Sequence, residues 1–592
     1  MKRGDGREQK LSRHRRAERA LRVGLVVLLL GVMDAGRVRG QMTAELEAGY
    51  WAGIMCSAVF MAGRSPEDVI REELDGLAVP GDGSVASPVI DHNAHAVTVA
   101  YAGSETPRIA VFREGWGSVL LPPGSTLDDV KALPNAWVRG PMPARDASQL
   151  PWPSGDLVRP APPPAEIDRT KLAAAIEGAF AERKDEPHKT LGVVVVYRGE
   201  IVAERYAPGW GPYTQYRSWS TAKSLTSALV GILVGQGKLD PAKPAPIAEW
   251  RDADDSRGAI TLENLLHMSS GLNSPGNATS KAYFGGVDAA AAAAGRALEA
   301  EPGTRFKYSN FDTLLLVQSI KEVLGGGVNY WNFPRRGLFD QIGMNHTFAE
   351  TEAHGNFILS SQVYTTPRDL ARFGLLYLND GVWQGKRILP EGWVDYTRRP
   401  IPAPMPDSGR RGYGAQFWLM GGDSRVPSDT YSTAGHRGQH ATIVPSADVV
   451  VARMGLDPRQ DSGWDQEQFV ADILDAIGEE PIRFSEIYDD ILRPAGCAAA
   501  FCHSEDRELG NMDLHTRDSA YGSLVGVTAS GELCADSGML RVSPGDPDAS
   551  LLWAKLGGTP PCGGSMPAAN GLLDQIQIDR IRRWISEGAR ND

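Results

Sequence analysis

A β-branched run at residues 190–197, a turn at Arg198-Gly199-Glu200 and a second run at 201–206 predict a β-hairpin. A second pair stands far downstream, where residues 441–445 and 449–454 flank a short turn. Around and between these pairs the apolar period changes. Residues 168–184 place Leu172, Ile176 and Phe180 four apart, which predicts an amphipathic helix with Lys171 turned to solvent. Residues 224–234 are short of charge on every side, as a buried helix is. Another helical pattern follows at 466–477. Strands at both ends of a segment with helices between them predict an α+β layout, an antiparallel sheet covered by helices. No internal repeat is visible.

With 592 residues the chain is too long for one hydrophobic core. The run Pro160-Ala161-Pro162-Pro163-Pro164-Ala165 reads as a stiff linker, and a second boundary falls near Glu479-Glu480-Pro481. These divide the sequence into an N-terminal accessory region with its linker (41–166), a central domain (167–480) and a C-terminal module (484–592). Ahead of them, nine Lys and Arg residues between Lys2 and Arg22 precede an apolar run at 23–33. That run is too short to span a bilayer and reads as the core of a secretory signal, with cleavage after Gly40. An uncleaved signal anchor is the alternative. The expected location is therefore the periplasm or the cell exterior. The net charge of -12 argues against a nucleic-acid partner, which would want a basic surface.

Ser220-Thr221-Ala222-Lys223 is a Ser-x-x-Lys motif opening the buried helical pattern. Residues three apart share a helix face, so the amine stands beside the hydroxyl. A serine alcohol is a poor nucleophile until a base takes its proton, and a lysine with a lowered pKa can be that base. Alone, the motif is too short to mean much. Tyr308-Ser309-Asn310 follows in the same domain: the phenol can shuttle a proton and the Asn310 amide can orient the lysine or the substrate. Read without Ser220 and Lys223, Tyr308 would be an ordinary half-buried aromatic. Further on, Thr433-Ala434-Gly435-His436-Arg437-Gly438-Gln439 leads into a strand, where glycine lets substrate approach a backbone N–H that completes an oxyanion hole.

These residues, in this order, resemble the serine β-lactamase and penicillin-binding superfamily, and most closely its class C β-lactamase and aminohexanoate-dimer hydrolase branch. The segments at 260–272 and 364–378 resemble further characteristic stretches of that family. The resemblance implies a sheet flanked by helices plus an all-helical domain. It also implies an acyl-enzyme on Ser220, with Lys223 and Tyr308 exchanging the proton and no cofactor. One departure stands out. The family's Lys-Thr-Gly triplet is missing, and two frames could replace it: Thr433-Ala434-Gly435, with the His436 amide in the oxyanion hole, or His436-Arg437-Gly438, with that of Gln439. Either way the lysine that grips a carboxylate is absent, which favours ester or amide hydrolysis over antibiotic hydrolysis. His436 and Arg437 could supply substitute charge, or lie in a solvated loop.

The last hundred residues hold four of the five cysteines. Cys497, Cys502 and His503 resemble the heme-attachment motif of c-type cytochromes, with four residues between the cysteines instead of two. That resemblance implies thioethers at Cys497 and Cys502, His503 and Met566 as axial ligands, and a redox partner. The other reading is a loop-rich, mainly helical module stapled by disulfides Cys497–Cys502 and Cys534–Cys562. Cys56 reads as a small buried side chain. The sequence is therefore compatible with three functions. They are a serine hydrolase acting on a small ester or amide, a heme-bearing electron-transfer or sensor protein using the hydrolase fold for binding, and a penicillin-binding D-alanyl peptidase.

Overall fold

The computed structural model describes residues 43–591, excepting 75–84, 135–137, 139–146, 159–163, 165–166, 182–188, 404, 406–411, 421–424, 458–463, 478–481, 500–502, 505–506, 558–559 and 568–572. The expected leader 1–40, most of the proline linker and Cys502 lie outside the described residues. The chain divides into two compact units, Met1–Ala476 and Ile477–Asp592.

In the first unit, helix α1 (Ala44–Phe60) packs on a four-stranded antiparallel meander, β1 (Val89–Asp91), β2 (Ala96–Val99), β3 (Arg108–Arg113) and β4 (Gly117–Leu120). Thr43 caps α1 through its side chain. Tyr50, Met55 and Cys56 on α1 belong to the same buried cluster as Leu225, Leu315 and Val450. Helix α1 is thus built into the central core, while Ile109, Val111, Val119 and Leu121 of the meander belong to a second, smaller cluster.

Helix α2 (Arg169–Phe180) starts at Asp168, whose carboxylate accepts the amides of Thr170 and Lys171. Leu172 and Ile176 are buried, and Lys171 reaches Asp475. The hairpin β5 (Thr190–Tyr197) and β6 (Glu200–Tyr206) follows, then the short β7 (Tyr216–Arg217), helix α3 (Thr221–Gly235), helix α4 (Ala278–Phe284) and helix α5 (Asn310–Leu324). Strands β8 (Phe348–Ala349) and β9 (Val363–Thr365) pair with β7 in the order β7-β9-β8. Helix α6 (Pro367–Leu378) leads to β10 (Gly412–Tyr413), β11 (Trp418–Leu419), β12 (Tyr431–Gly435), β13 (Gln439–Val444) and β14 (Val449–Gly455), and α7 (Gln466–Ile477) closes the unit.

The main sheet has seven antiparallel strands in the order β10-β11-β12-β13-β14-β5-β6. The two hairpins read from the sequence thus meet, with Val195 opposite Val451. Every residue of β5 and β14 is buried, because α6 lies across β5, β13 and β14 and α2 packs on β5. Helix α3 crosses β12 and also packs on α5, which brings the serine, tyrosine and strand-edge segments to one place.

The second unit is mainly helical, with α8 (Arg517–Leu524), α9 (Leu551–Leu556) and α10 (Gln575–Ser586) around a core of Phe484, Ile491, Val542, Ile581 and Trp584. Cys534 and Cys562 are bonded, with Cα atoms 5.3 Å apart.

Candidate active site

Ser220 sits between an extended strand and a helix. Arg217 pairs with Tyr364, the Ser218 amide donates to the Val363 carbonyl, and Trp219 then takes a left-handed φ of 49° before α3 begins. A bulky residue in that region is strained, and the surroundings must hold it. They do: the Arg217 guanidinium lies 4.4 Å from the centre of the Trp219 ring, and the His436 ring meets its edge at 5.1 Å. Ser220 occupies the N-cap position, yet its side chain makes no capping bond. Its hydroxyl is thus left to face the chemistry, beside amides whose dipoles favour negative charge.

One turn on, Lys223 is buried, and Nζ lies 3.0 Å from Ser220 Oγ, 2.6 Å from Asn310 Oδ1 and 2.8 Å from the Ser360 carbonyl oxygen. An ammonium has three donors and finds three acceptors here. Burial nevertheless pulls its pKa down to about 7. Once neutral, the amine can keep its bonds to Asn310 and Ser360 and offer its lone pair to the Ser220 hydroxyl.

Asn310 is the first residue of α5, fixed because Ser309 caps that helix by accepting the Phe311 amide. The Tyr308 ring centre is 5.1 Å from Lys223 Nζ. Trp418 stacks on it at 5.7 Å, and Tyr413 meets it edge-on at 6.1 Å. Ser220, Lys223, Tyr308 and Asn310 are therefore brought together from α3, α5 and the turn before α5.

The 433–439 segment is the β12–β13 hairpin, with Gly435 opposite Gln439. Gly435 packs against the Ser218 carbonyl, whereas Gly438 packs against Arg453 and Asp457. Only the first glycine borders the loop that carries Ser220. Thr221 ties the two elements together by donating to the Gln439 carbonyl at 2.9 Å.

Substitute charge from this hairpin is corrected by the structure. Arg437 is neither solvated nor turned to the serine. It is 2% exposed, and its guanidinium donates to the carbonyls of Asp457, Glu72 and Leu456. His436 is held neutral at neutral pH, its pKa lowered to about 4 by burial and by Arg437 and Arg217.

Three participants carried no sequence signal. Ser360 meets the lysine through its backbone carbonyl, Trp219 precedes the serine in a left-handed conformation, and Tyr283 shares a buried hydrogen bond with Ser360 Oγ. Asp312, buried with its pKa raised to about 7 mainly by desolvation, accepts from Ser270 and so anchors the 260–272 segment to α5.

In the second unit, a cavity of about 430 Å³ is lined mostly by apolar side chains such as Leu492, Leu524 and Leu556, and also by Cys497, His503 and Met566. His503 is buried and its Nδ1 has no hydrogen-bond partner among the described residues. Among the described residues, no cluster of three or more His, Cys, Asp and Glu side chains could hold a bare metal ion.

A Ser-x-x-Lys pair with its lysine buried, and with a phenol and an amide around it, on an antiparallel sheet flanked by helices, defines a serine hydrolase. Residues 176–465 match the family model described as Beta-lactamase. A 6-aminohexanoate-dimer hydrolase of Paenarthrobacter ureafaciens is 24% identical over 335 residues, covering 52% of this chain and 82% of the relative. Among solved structures, an octameric penicillin-binding protein homologue from Pyrococcus abyssi aligns at 20% identity with a TM-score of 0.41, covering 55% of this chain and 82% of that one. A D-stereospecific amidohydrolase from Streptomyces sp. aligns at 17% identity with a TM-score of 0.39, covering 52% and 98%.

Proposed function

We propose that this protein cleaves an ester or amide bond of a small molecule through an acyl-enzyme on Ser220. Neutral Lys223 takes the hydroxyl proton as Ser220 Oγ attacks the carbonyl carbon. The amides of Ser220 and His436 hold the oxyanion; each such donor is worth about 3 kcal/mol of barrier. The Tyr308 phenol, beside the lysine, passes the proton to the leaving group, and water then releases the acyl group by the reverse relay. The observation that carries this reading is the Lys223 amine, 3.0 Å from Ser220 Oγ and with its pKa brought to about 7. The D-alanyl peptidase reading draws no support from Arg437, whose guanidinium is spent on core carbonyls. Intact-mass analysis after a fluorophosphonate should show one adduct that Ser220→Ala abolishes; no adduct on the wild-type chain would overturn the reading. We also infer export through residues 1–40, tested by the N-terminus of the protein isolated from its host.

A second reading concerns the C-terminal unit, where the cavity suits a heme. Its walls are apolar, Cys497 borders it for a thioether, and the neutral His503 ring and the Met566 thioether are the axial-ligand types for iron. Burial lowers the His503 pKa, which keeps the imidazole available for a metal. Bound there, the group would supply one-electron transfer to a redox partner. A purified chain without a Soret band and without the mass of covalent heme would remove this reading and leave the hydrolase standing.

A further inference from the structure

We propose that Tyr283 is a positioning residue for the Lys223 amine, acting through Ser360. The inference deepens the hydrolase reading and rests on it. The Ser360 carbonyl is one of three acceptors around Nζ, so the direction of the amine depends on where the 359–361 segment stands. That segment is held at three points. Thr226 donates to the Leu359 carbonyl at 2.9 Å, Arg217 donates to Ser361 Oγ at 3.3 Å, and the Tyr283 hydroxyl shares a 2.5 Å hydrogen bond with Ser360 Oγ. Thr226 and Arg217 lie on α3 and β7, which flank the nucleophile. Tyr283 comes from α4, and its bond falls on the residue whose carbonyl meets the lysine.

The end of α4 is itself gripped by the N-terminal region. Arg108 donates to the Phe284 carbonyl and to that of Leu121, both at 3.1 Å, and Tyr50 meets the Phe284 ring edge-on at 4.9 Å. A β-carbon on Gly49 would stand 2.3 Å from the Phe284 carbonyl oxygen, so α1 approaches α4 as closely as backbone allows. A tyrosine with two side-chain torsions on a helix fixed at its end makes a stiff strut. Among the described residues, the groups facing Nζ are Ser220, Asn310, Ser360 and the Tyr308 ring.

The test is burst kinetics of the full chain with p-nitrophenyl butyrate. Tyr283→Phe should lower the saturating acylation rate about tenfold, the effect of one well-placed hydrogen bond, with the half-saturating ester concentration unchanged. Ser360→Ala keeps the carbonyl and loses the hydroxyl, so it should show the same loss. The double variant should be no slower than either single one, because both remove one interaction. Additive losses, a raised half-saturating concentration, or a lower melting temperature with an unchanged acylation rate would each overturn the proposal. Failure of the wild-type chain to burst or to take a fluorophosphonate would instead sink the hydrolase reading, and this proposal with it.

Discussion

A β-carbon placed on Gly435 would stand 2.2 Å from the carbonyl oxygen of Ser218, two residues before the nucleophile. The strand edge and the nucleophile's loop are therefore in backbone contact. Gly435→Ala must push the hairpin away and carry the His436 amide with it. The acylation rate should fall by about 100-fold, the scale of losing one oxyanion donor. Burst kinetics beside a thermal melt checks it, since simple misfolding would remove both signals.

The lysine sets a pH dependence. In the proposed mechanism acylation needs the neutral amine, so its rate should climb with pH and level off above about 7. Lys223→Met should remove this limb and cost about 100-fold or more in rate.

The same residue affects stability with a definite sign. Its folded pKa, about 7, lies below the ordinary lysine value of 10.5, so between those values the unfolded chain holds more protons. Stability from this group therefore rises with pH across that window and is weakest below it. Lys223→Met should raise the melting temperature more at pH 6 than at pH 9.

Arg437 has a structural role. Arg437→Met leaves the carbonyls of Asp457, Glu72 and Leu456 without their donor inside the core. Urea unfolding should show a loss of about 3 kcal/mol. A selective loss of activity toward carboxylate-bearing esters, with stability intact, would contradict this assignment.

The disulfide closes a 28-residue separation in the second unit. Its removal by Cys534→Ser with Cys562→Ser should cost that unit about 3 kcal/mol, through the entropy regained by the unfolded chain. Ester burst kinetics should not change.

Much of this was legible in the linear order of residues. The β-branched runs at 190–206 and 441–454 announced the strands because alternation and branching are local properties of a pleated backbone. Ser220 and Lys223 could be placed side by side because three residues on a helix is a fixed distance. Tyr308 and Asn310 were recognisable as chemistry, though nothing local said that α5 would pack on α3. Tertiary packing settled the rest. It turned Arg437 inward, set Gly435 rather than Gly438 against the serine's loop, packed α1 into the central core, and set a carbonyl of Ser360 and a hydroxyl of Tyr283 behind the lysine. Every residue owns a carbonyl, and any arginine can face water or core. Such choices depend on neighbours tens to hundreds of residues away, and these meet only when the helices close on the sheet.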